Sequence, residues 1–311
     1  MAQRLNGKHL ISLKDLSRED FQTIFDLAAR LKQDLYTGRK HDLLAGKTLG
    51  MIFQKPSLRT MVSFQVGMHQ LGGYAVYLGP DQISLGKRES SEDISKVLSS
   101  YVDGIMARTF EHKIVEDLAA HSRVPVINGL TDFNHPCQVL ADLFTIAERK
   151  RQLEGLKLTY IGDGNNMTHS LMYGCAKVGM SIAIATPEGY EPLQHVVEEA
   201  REIGKTTGAE VILTNDVKEA AKDSDALYTD VWASMGQEGE KEERIQKFTG
   251  YQINADVMSV AHDDALVLHC LPAHYDEEIT HEVAHGKQSA VFQEAENRMH
   301  AQKAVMALLM A

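Results

Sequence analysis

The stretch 157–185, KLTYIGDGNNMTHSLMYGCAKVGMSIAIA, decides the fold. Lys157–Ile161 has the pattern of a buried strand, Gly162 to Asn166 is a polar loop, and a helical run extends from there to Val178. Ser181–Ala185 reads as a second strand. A strand, a crossover helix and another strand within about 30 residues make a βαβ unit, which requires parallel pairing.

The same alternation extends both ways. Downstream, strands are expected at Glu210–Leu213, Ala226–Asp230 and Leu266–His269, and a strongly apolar helix over roughly Ala295–Met310 closes the chain. Upstream, strands are expected at Thr48–Phe53, Tyr74–Leu78, Gly104–Ala107 and Val124–Ile127. A helix begins at Ser17, with Asp20 answering at N3 and Gly38 ending the element. Another starts after Ser57, with Met61, Phe64, Met68 and Leu71 on one stripe and Gly72-Gly73 as its stop. Helices near Ser91–Tyr101 and Glu111–Ala120 separate the next strands. Pro136 suits the first position of a helix that bridges to the second half near Lys150. The fold class is α/β, with two domains, 1–134 and 135–292, each a parallel sheet flanked by helices. The polar stretch Gly236–Arg244 is expected to be a mobile loop.

The chain's 311 residues are 43% hydrophobic and 24% charged with only 7 prolines, which excludes a disordered or fibrous protein. A net charge of -11 argues against duplex nucleic acid as a partner. Three widely spaced cysteines, Cys137, Cys175 and Cys270, give neither a disulfide framework nor a CxxC motif, so a reducing compartment is expected. No leader-like apolar segment opens the chain and no run approaches a membrane span, so a cytoplasmic protein without a membrane partner is expected.

In open parallel sheets, ligands bind beyond the carboxyl ends of the strands. The loops there are Ser57-Leu58-Arg59-Thr60, Arg108-Thr109, His135-Pro136-Cys137-Gln138, Gly162-Asp163-Gly164-Asn165-Asn166, Asp230 to Met235, and His269-Cys270-Leu271-Pro272. Those of the first half combine guanidinium forks and hydroxyls with a helix N-terminus, which suits a phosphate. Those of the second half offer amides, a carboxylate and a thiol, which suits an amino-acid-like molecule. Singly, each loop reads as an ordinary helix cap, turn or surface charge, and only their joint placement points to a site.

Two other patterns are weighed and set aside. Gly162-Asp163-Gly164 resembles a dinucleotide fingerprint, but Met167 occupies the third glycine position. His281-Glu282-Val283-Ala284-His285 is an HExxH pattern in a chain with 14 histidines, on a segment, Asp276–Ala284, expected to be a short charged surface helix ended by Gly286. Glu294 and Glu296 come too soon after it to serve as the usual third ligand.

In order along the chain, the loops resemble the aspartate/ornithine carbamoyltransferase family, and within it the ornithine branch. Ser57-Leu58-Arg59-Thr60 is similar to the Ser-Thr-Arg-Thr signature, and His135-Pro136-Cys137-Gln138 to His-Pro-x-Gln. Gly162 to Asn166, Asp230-Val231-Trp232-Ala233-Ser234-Met235-Gly236, His269 to Pro272 and Glu294-Ala295-Glu296-Asn297-Arg298 complete the set. The resemblance implies that the first domain binds carbamoyl phosphate, the second binds ornithine, and the C-terminal helix, 293–311, packs back onto the first. It implies a homotrimer or a multiple of trimers, with a neighbouring chain's loop from Gln82 to Glu89, including Ser84, reaching the site.

The implied reaction transfers the carbamoyl group to the δ-amine of L-ornithine, giving L-citrulline and phosphate, and would serve either arginine biosynthesis or ornithine catabolism. Ser57, Leu58 through its backbone, Arg59, Thr60 and Arg108 would hold the phosphate. Arg59, Arg108, His135 and Arg298 would stabilise the oxyanion, and Gln138 would read the carbamoyl amide. Asp230 and Ser234 would take the α-ammonium, Asn166 and the Met235 backbone the carboxylate, and Cys270 with the Leu271 carbonyl would stand near the δ-amine. Leu271-Pro272 would be cis, and neither a metal nor an organic cofactor is implied.

The chain departs from the family pattern at Met61, where a second arginine is usual, and at Gln54 and Gln65, where acidic residues are common. Met61 and Gln65 are four apart on one helix, so a charge cluster neutralised together is expected to leave the phosphate loop intact. Alternatives are a carbamoyltransferase for putrescine or an acylated ornithine, and a non-catalytic carbamoyl-phosphate-binding homologue. A nicotinamide-dependent dehydrogenase has less in its favour.

Overall fold

A computed structural model describes residues 5, 9–83, 89–233, 239 and 241–311. The chain forms two compact units, Met1–Ala141 with Asn297–Ala311, and Asp142–Glu296. Two helices carry the chain across the boundary, Pro136–Lys150 and Val291–Met310.

The first unit holds β1 (Thr48–Phe53), β2 (Tyr74–Leu78), β3 (Gly104–Arg108) and β4 (Val126–Leu130). They form one sheet in the order β2-β1-β3-β4, with every pair parallel. The chain runs outward from β1 to β2 and then crosses to β3 on the other side, so the order reverses between β1 and β3. Phe53 and Arg108 are register partners at the carboxyl ends of these two strands. The second unit repeats the scheme with β5 (Lys157–Ile161), β6 (Ser181–Ala185), β7 (Val211–Thr214), β8 (Ala226–Thr229) and β9 (Leu266–His269). Their order is β7-β6-β5-β8-β9, again all parallel, and the reversal lies between β5 and β8, where Ile161 pairs with Thr229. Each unit therefore has one topological switch point, the place where such sheets hold ligands.

Strands β1, β3, β8 and β9 are almost wholly buried, as apolar strands covered on both faces should be. The first core gathers Ile52, Ile105, Ala107, Val115, Leu118 and Val126, and a core in the second unit gathers Ile161, Ala183, Leu227, Val267 and Ile279. Local signals act as expected: Ser17 and Asp20 form a reciprocal capping box on the helix Arg18–Tyr36. Asn165 and left-handed Gly179 bound the helix Asn166–Val178.

Four expectations are corrected. Strand β4 begins at Val126, not Val124, because Ser122 Oγ accepts the Val124 N–H in a local turn and Pro125 has no N–H for a ladder. The last helix starts at Val291, and beyond Asn297 it is buried on almost every face, polar residues included. The segment Asp276–Ala284 is helical only over His281–Ala284, capped by Thr280. Before it, Gln252 Nε2 donates to the Asp276 and Glu277 carbonyls, and Glu278 and Ile279 are fully buried, so this is not a surface helix. Of the expected mobile loop Gly236–Arg244, residues 236–238 and 240 lie outside the described residues, and 241–244 belong to the helix Lys241–Lys247, on which Arg244 is buried. No helix among the described residues is long and apolar enough to cross a membrane.

Candidate functional site

The first unit assembles its polar groups around the β1–β3 switch. Ser57 caps the helix Leu58–Gln70: its Oγ accepts the Thr60 N–H at 3.3 Å and donates to Thr60 Oγ1 at 3.0 Å. Arg59 and Thr60 thus stand in the first turn, where backbone N–H groups are open to an anion. Leu58 is 71% exposed, and its backbone N–H belongs to this open first turn. Strand β3 shifts register against β4 between Ala107 and Arg108, with Gly129 of β4 as the extra residue, and Arg108 pairs with Leu130 at the strand end. Gln54 Oε1 accepts the Phe110 N–H at 3.0 Å, fixing the chain just beyond Arg108.

His135 comes after a closed loop in which Thr131 Oγ1 accepts the N–H groups of Phe133 and Asn134. Its own carbonyl accepts the N–H groups of Gln138 and Val139, opening the helix that has Pro136 as first residue. Arg298, buried on the last helix, donates through Nη2 to Thr60 Oγ1 at 2.6 Å and through Nη1 to Gln138 Oε1 at 3.1 Å. Ser57, Thr60, Gln138 and Arg298 therefore form one continuous network, although 238 positions separate Thr60 from Arg298. Burial, then the guanidiniums of Arg298, Arg108 and Arg59 in that order, hold the His135 imidazole well below its ordinary pKa. The ring is neutral at pH 7, with three cations acting on one buried spot. Cys137, next in the motif, is pushed up to about 12 by burial and stays a thiol.

The second unit places carboxylates and amides at the β5–β8 switch. Asp230, directly after β8, accepts the Val231 N–H at 2.8 Å and the Cys270 thiol at 3.1 Å on Oδ1. Its Oδ2 accepts Asn165 Nδ2 at 3.3 Å. Asn165 also caps the adjoining helix, its Oδ1 accepting from Met167 and Thr168. Asn166 is the half-buried first residue of that helix. Burial, then the Asp230 carboxylate, push the Cys270 thiol well above its usual range, so it is a hydrogen-bond donor and not a nucleophile. The Leu271-Pro272 bond is cis, with Leu271 at φ 56°. The Leu271 N–H donates to His269 Nδ1 at 2.9 Å, which leaves Nε2 of His269 to donate to buried Glu278 at 3.0 Å.

Ser84, Ser234 and Met235 lie outside the described residues. Met61, expected to be buried on its stripe, is only half-buried. Sequence reasoning missed Asn165 as the partner of Asp230, and it missed a buried ion pair in which Arg244 Nη1 donates to Asp163 Oδ2 at 2.8 Å and to the Trp232 carbonyl at 2.9 Å. The Asn165 role is consistent with its cap position, but 81 positions separate Arg244 from Asp163 and nothing local marks the pair. Gly164 is explained without a nucleotide, because a Cβ there would sit 2.3 Å from the Pro192 nitrogen.

Asp230, His269 and Cys270 bring potential metal ligands within 4.8 Å, yet both ring nitrogens of His269 and the thiol are engaged in hydrogen bonds, which makes this a self-satisfied cluster. The HExxH histidines stack at 4.3 Å, with Tyr275 hydrogen-bonded to His285.

Known proteins show the same division. Residues 8–148 match the family profile described as "Aspartate/ornithine carbamoyltransferase, carbamoyl-P binding domain", and residues 154–309 match its "Asp/Orn binding domain". The chain is 53% identical to an ornithine carbamoyltransferase of Anoxybacillus flavithermus, covering 99% of this chain and 98% of that one. It is 54% identical to one of Bacillus subtilis, covering 97% and 93%. The solved ornithine carbamoyltransferase of Pyrococcus furiosus is similar in structure, with a TM-score of 0.96 at 50% identity, covering 99% of this chain and 98% of that one.

Proposed function

The chain belongs to the aspartate/ornithine carbamoyltransferase family, and from that premise we propose that its reaction joins the carbamoyl group of carbamoyl phosphate to the δ-amine of L-ornithine, giving L-citrulline and phosphate. The observation that carries this reading is the contrast in the two polar clusters: three guanidiniums around a neutral histidine in one unit, and a carboxylate holding amide and thiol donors in the other.

Carbamoyl phosphate is taken by Ser57, the Leu58 backbone, Arg59, Thr60 and Arg108, with Gln138 on the carbamoyl amide. The neutral δ-amine attacks the carbamoyl carbon, an oxyanion develops, and the bond from carbon to the phosphate oxygen breaks as the amine's proton passes to the leaving phosphate. Arg59, Arg108 and Arg298 offer fixed positive charge to that oxyanion, and His135 offers a neutral N–H donor. Donors aimed at developing charge in a buried site need no reorganisation at the moment of reaction. Asp230, with Ser234, takes the α-ammonium, while Asn166 and the Met235 backbone take the carboxylate. Cys270 and the Leu271 carbonyl receive the δ-amine. Putrescine has no carboxylate for Asn166, and an acylated ornithine has no α-ammonium for Asp230.

We assign carbamoyl phosphate binding to 1–134 with 293–311, and ornithine binding to 135–292. The assembly is a homotrimer or a multiple of one, Ser84 of a neighbouring copy completing the site. Support comes from β2, an edge strand whose Tyr74 and Tyr77 are 68% and 37% exposed. The role is arginine biosynthesis in the cytoplasm, supported by a curated relative from Pyrococcus furiosus named as anabolic and by three unpaired cysteines. The test is phosphate release and ureido-product formation from carbamoyl phosphate with ornithine, N-acetylornithine or putrescine. Turnover with ornithine alone is expected. Turnover with another amine alone reassigns the second unit, and binding of carbamoyl phosphate with no turnover makes the chain a non-catalytic homologue.

A further inference from the structure

Two carboxyl groups in the second unit belong to none of the roles above. Asp142 lies on the helix Pro136–Lys150 and Glu294 on the helix Val291–Met310, and both are 0% exposed. Glu294 Oε1 accepts the Tyr228 hydroxyl at 3.2 Å, and Oε2 accepts the His269 backbone N–H at 3.0 Å. The Glu294 side chain is also hydrogen-bonded to Asp142. Two carboxyl groups in contact away from water cannot both ionise, so one proton lies between them. Burial and the Asp142 carboxyl hold Glu294 well above the ordinary carboxylate range, in line with that contact.

The His269 bond matters because of its place in the chain. His269 is the last residue of β9, and Cys270 and the cis Leu271-Pro272 turn come directly after it. At that point the backbone N–H is received by a side chain from another element. We propose that Glu294 is a positioning residue for the acceptor amine: through the His269 N–H it sets where Cys270 and the Leu271 carbonyl stand. The proposal rests on the assignment of those two groups to the δ-amine. His269 requires an acceptor and Asp142 a donor; a primary amide whose oxygen takes the place of Oε2 supplies both, its NH2 facing Asp142 and the Tyr228 hydroxyl, which can accept as well as donate. A negative charge is not required.

Glu294→Gln, Glu294→Asp and Glu294→Ala separate these features. Glu294→Gln keeps reach and pattern, Glu294→Asp loses the reach, and Glu294→Ala loses both. In steady-state kinetics we expect Glu294→Gln to stay within about threefold of wild type in every parameter, whereas Glu294→Asp and Glu294→Ala raise the ornithine KM about tenfold or more with the carbamoyl phosphate KM within about threefold. The alkylation rate of Cys270 gives a readout independent of turnover, since Cys137 and Cys175 are buried and Cys270 is partly accessible. Cys270 should react several-fold faster in Glu294→Asp and Glu294→Ala, and as wild type in Glu294→Gln. Unchanged Cys270 reactivity and ornithine KM in a folded Glu294→Asp overturn the proposal, as does a Glu294→Gln that behaves like Glu294→Ala. Should Glu294→Ala not fold, Glu294→Asp against Glu294→Gln decides alone. A wild-type protein that turns over no ornithine would instead break the functional reading, leaving Cys270 reactivity to judge Glu294.

Discussion

The two units share one plan, a parallel sheet whose strand order reverses once, yet they treat charge in opposite ways. At the β1–β3 switch, cations accumulate: Arg59, Arg108 and Arg298 act on His135, which answers by remaining neutral. At the β5–β8 switch, acids accumulate: the Cys270 thiol holds its proton beyond its usual range, and a proton that water would have removed stays between Glu294 and Asp142. The first arrangement suits a ligand that arrives with its own negative charge. The second suits one that arrives with an ammonium, and a buried acidic environment that has kept its protons avoids the cost of unpaired charge until then. Topology chooses the place in both units, and the side chains at the strand ends choose the sign.

The comparison can be broken most decisively at the cationic cluster. Arg59→Ala should lower kcat/KM for carbamoyl phosphate by roughly a thousandfold, because the proposed reaction gives Arg59 the part of a charged donor to both phosphate and oxyanion. A loss below tenfold in steady-state assays would remove Arg59 from the reaction. Asp230→Asn should come next, raising the ornithine KM about a hundredfold while leaving the carbamoyl phosphate KM within a few-fold. The same variant should bring the Cys270 thiol down toward its usual range, read as faster alkylation at lower pH, because the Asp230 carboxylate is one of the groups holding it up.

A third test uses proton linkage at His135. Its folded-state pKa lies below the unfolded value of about 6.5, so the unfolded chain binds the extra proton first as pH falls. Its contribution to stability is complete above that value and is lost below it, by at most about 1.4 kcal/mol per pH unit, until the folded pKa is reached. Urea unfolding at pH 7.5 and 5.5 should therefore show a smaller acid loss in His135→Gln than in wild type. Equal losses would mean the imidazole is not held neutral. Smallest of all, Met61→Arg should change kcat/KM by less than about tenfold, since a half-buried helical position lets a long side chain reach solvent. A gain of orders of magnitude would show that Met61 has depleted the cationic side.

Much of the fold and of the site is legible in the sequence because it depends on near neighbours along the chain. Strands β1, β2, β5, β6 and β9 fall where their apolar runs end, and Ser57 caps its helix as a serine before a helical stripe should. Legibility fails where a partner is distant or a local rule is overridden. Pro125 delays a plausible strand by two residues because it lacks an N–H, and buried Glu278 and Ile279 hold in a turn a segment that has helical composition. The pairs Arg244 with Asp163, Arg298 with Thr60, and Glu294 with His269 all join residues far apart in the chain. Arg298 stands out through its motif, but none of these pairings leaves a trace near its own residue until the fold brings the partners together.

The division of the chain also carries a consequence for biosynthesis. The second unit is one continuous segment, Asp142–Glu296, whereas the first needs Asn297–Ala311 as well as Met1–Ala141. The glycine of β3, Gly104, leaves room that the Met310 sulfur fills, 2.8 Å from where a Cβ would stand, and Arg298 completes the Thr60–Gln138 network. On the ribosome, domains ordinarily mature in the order in which they emerge. Here the segment that emerges first cannot complete its own unit at once: the Thr60–Gln138 network lacks Arg298 until translation has passed through the whole of its successor.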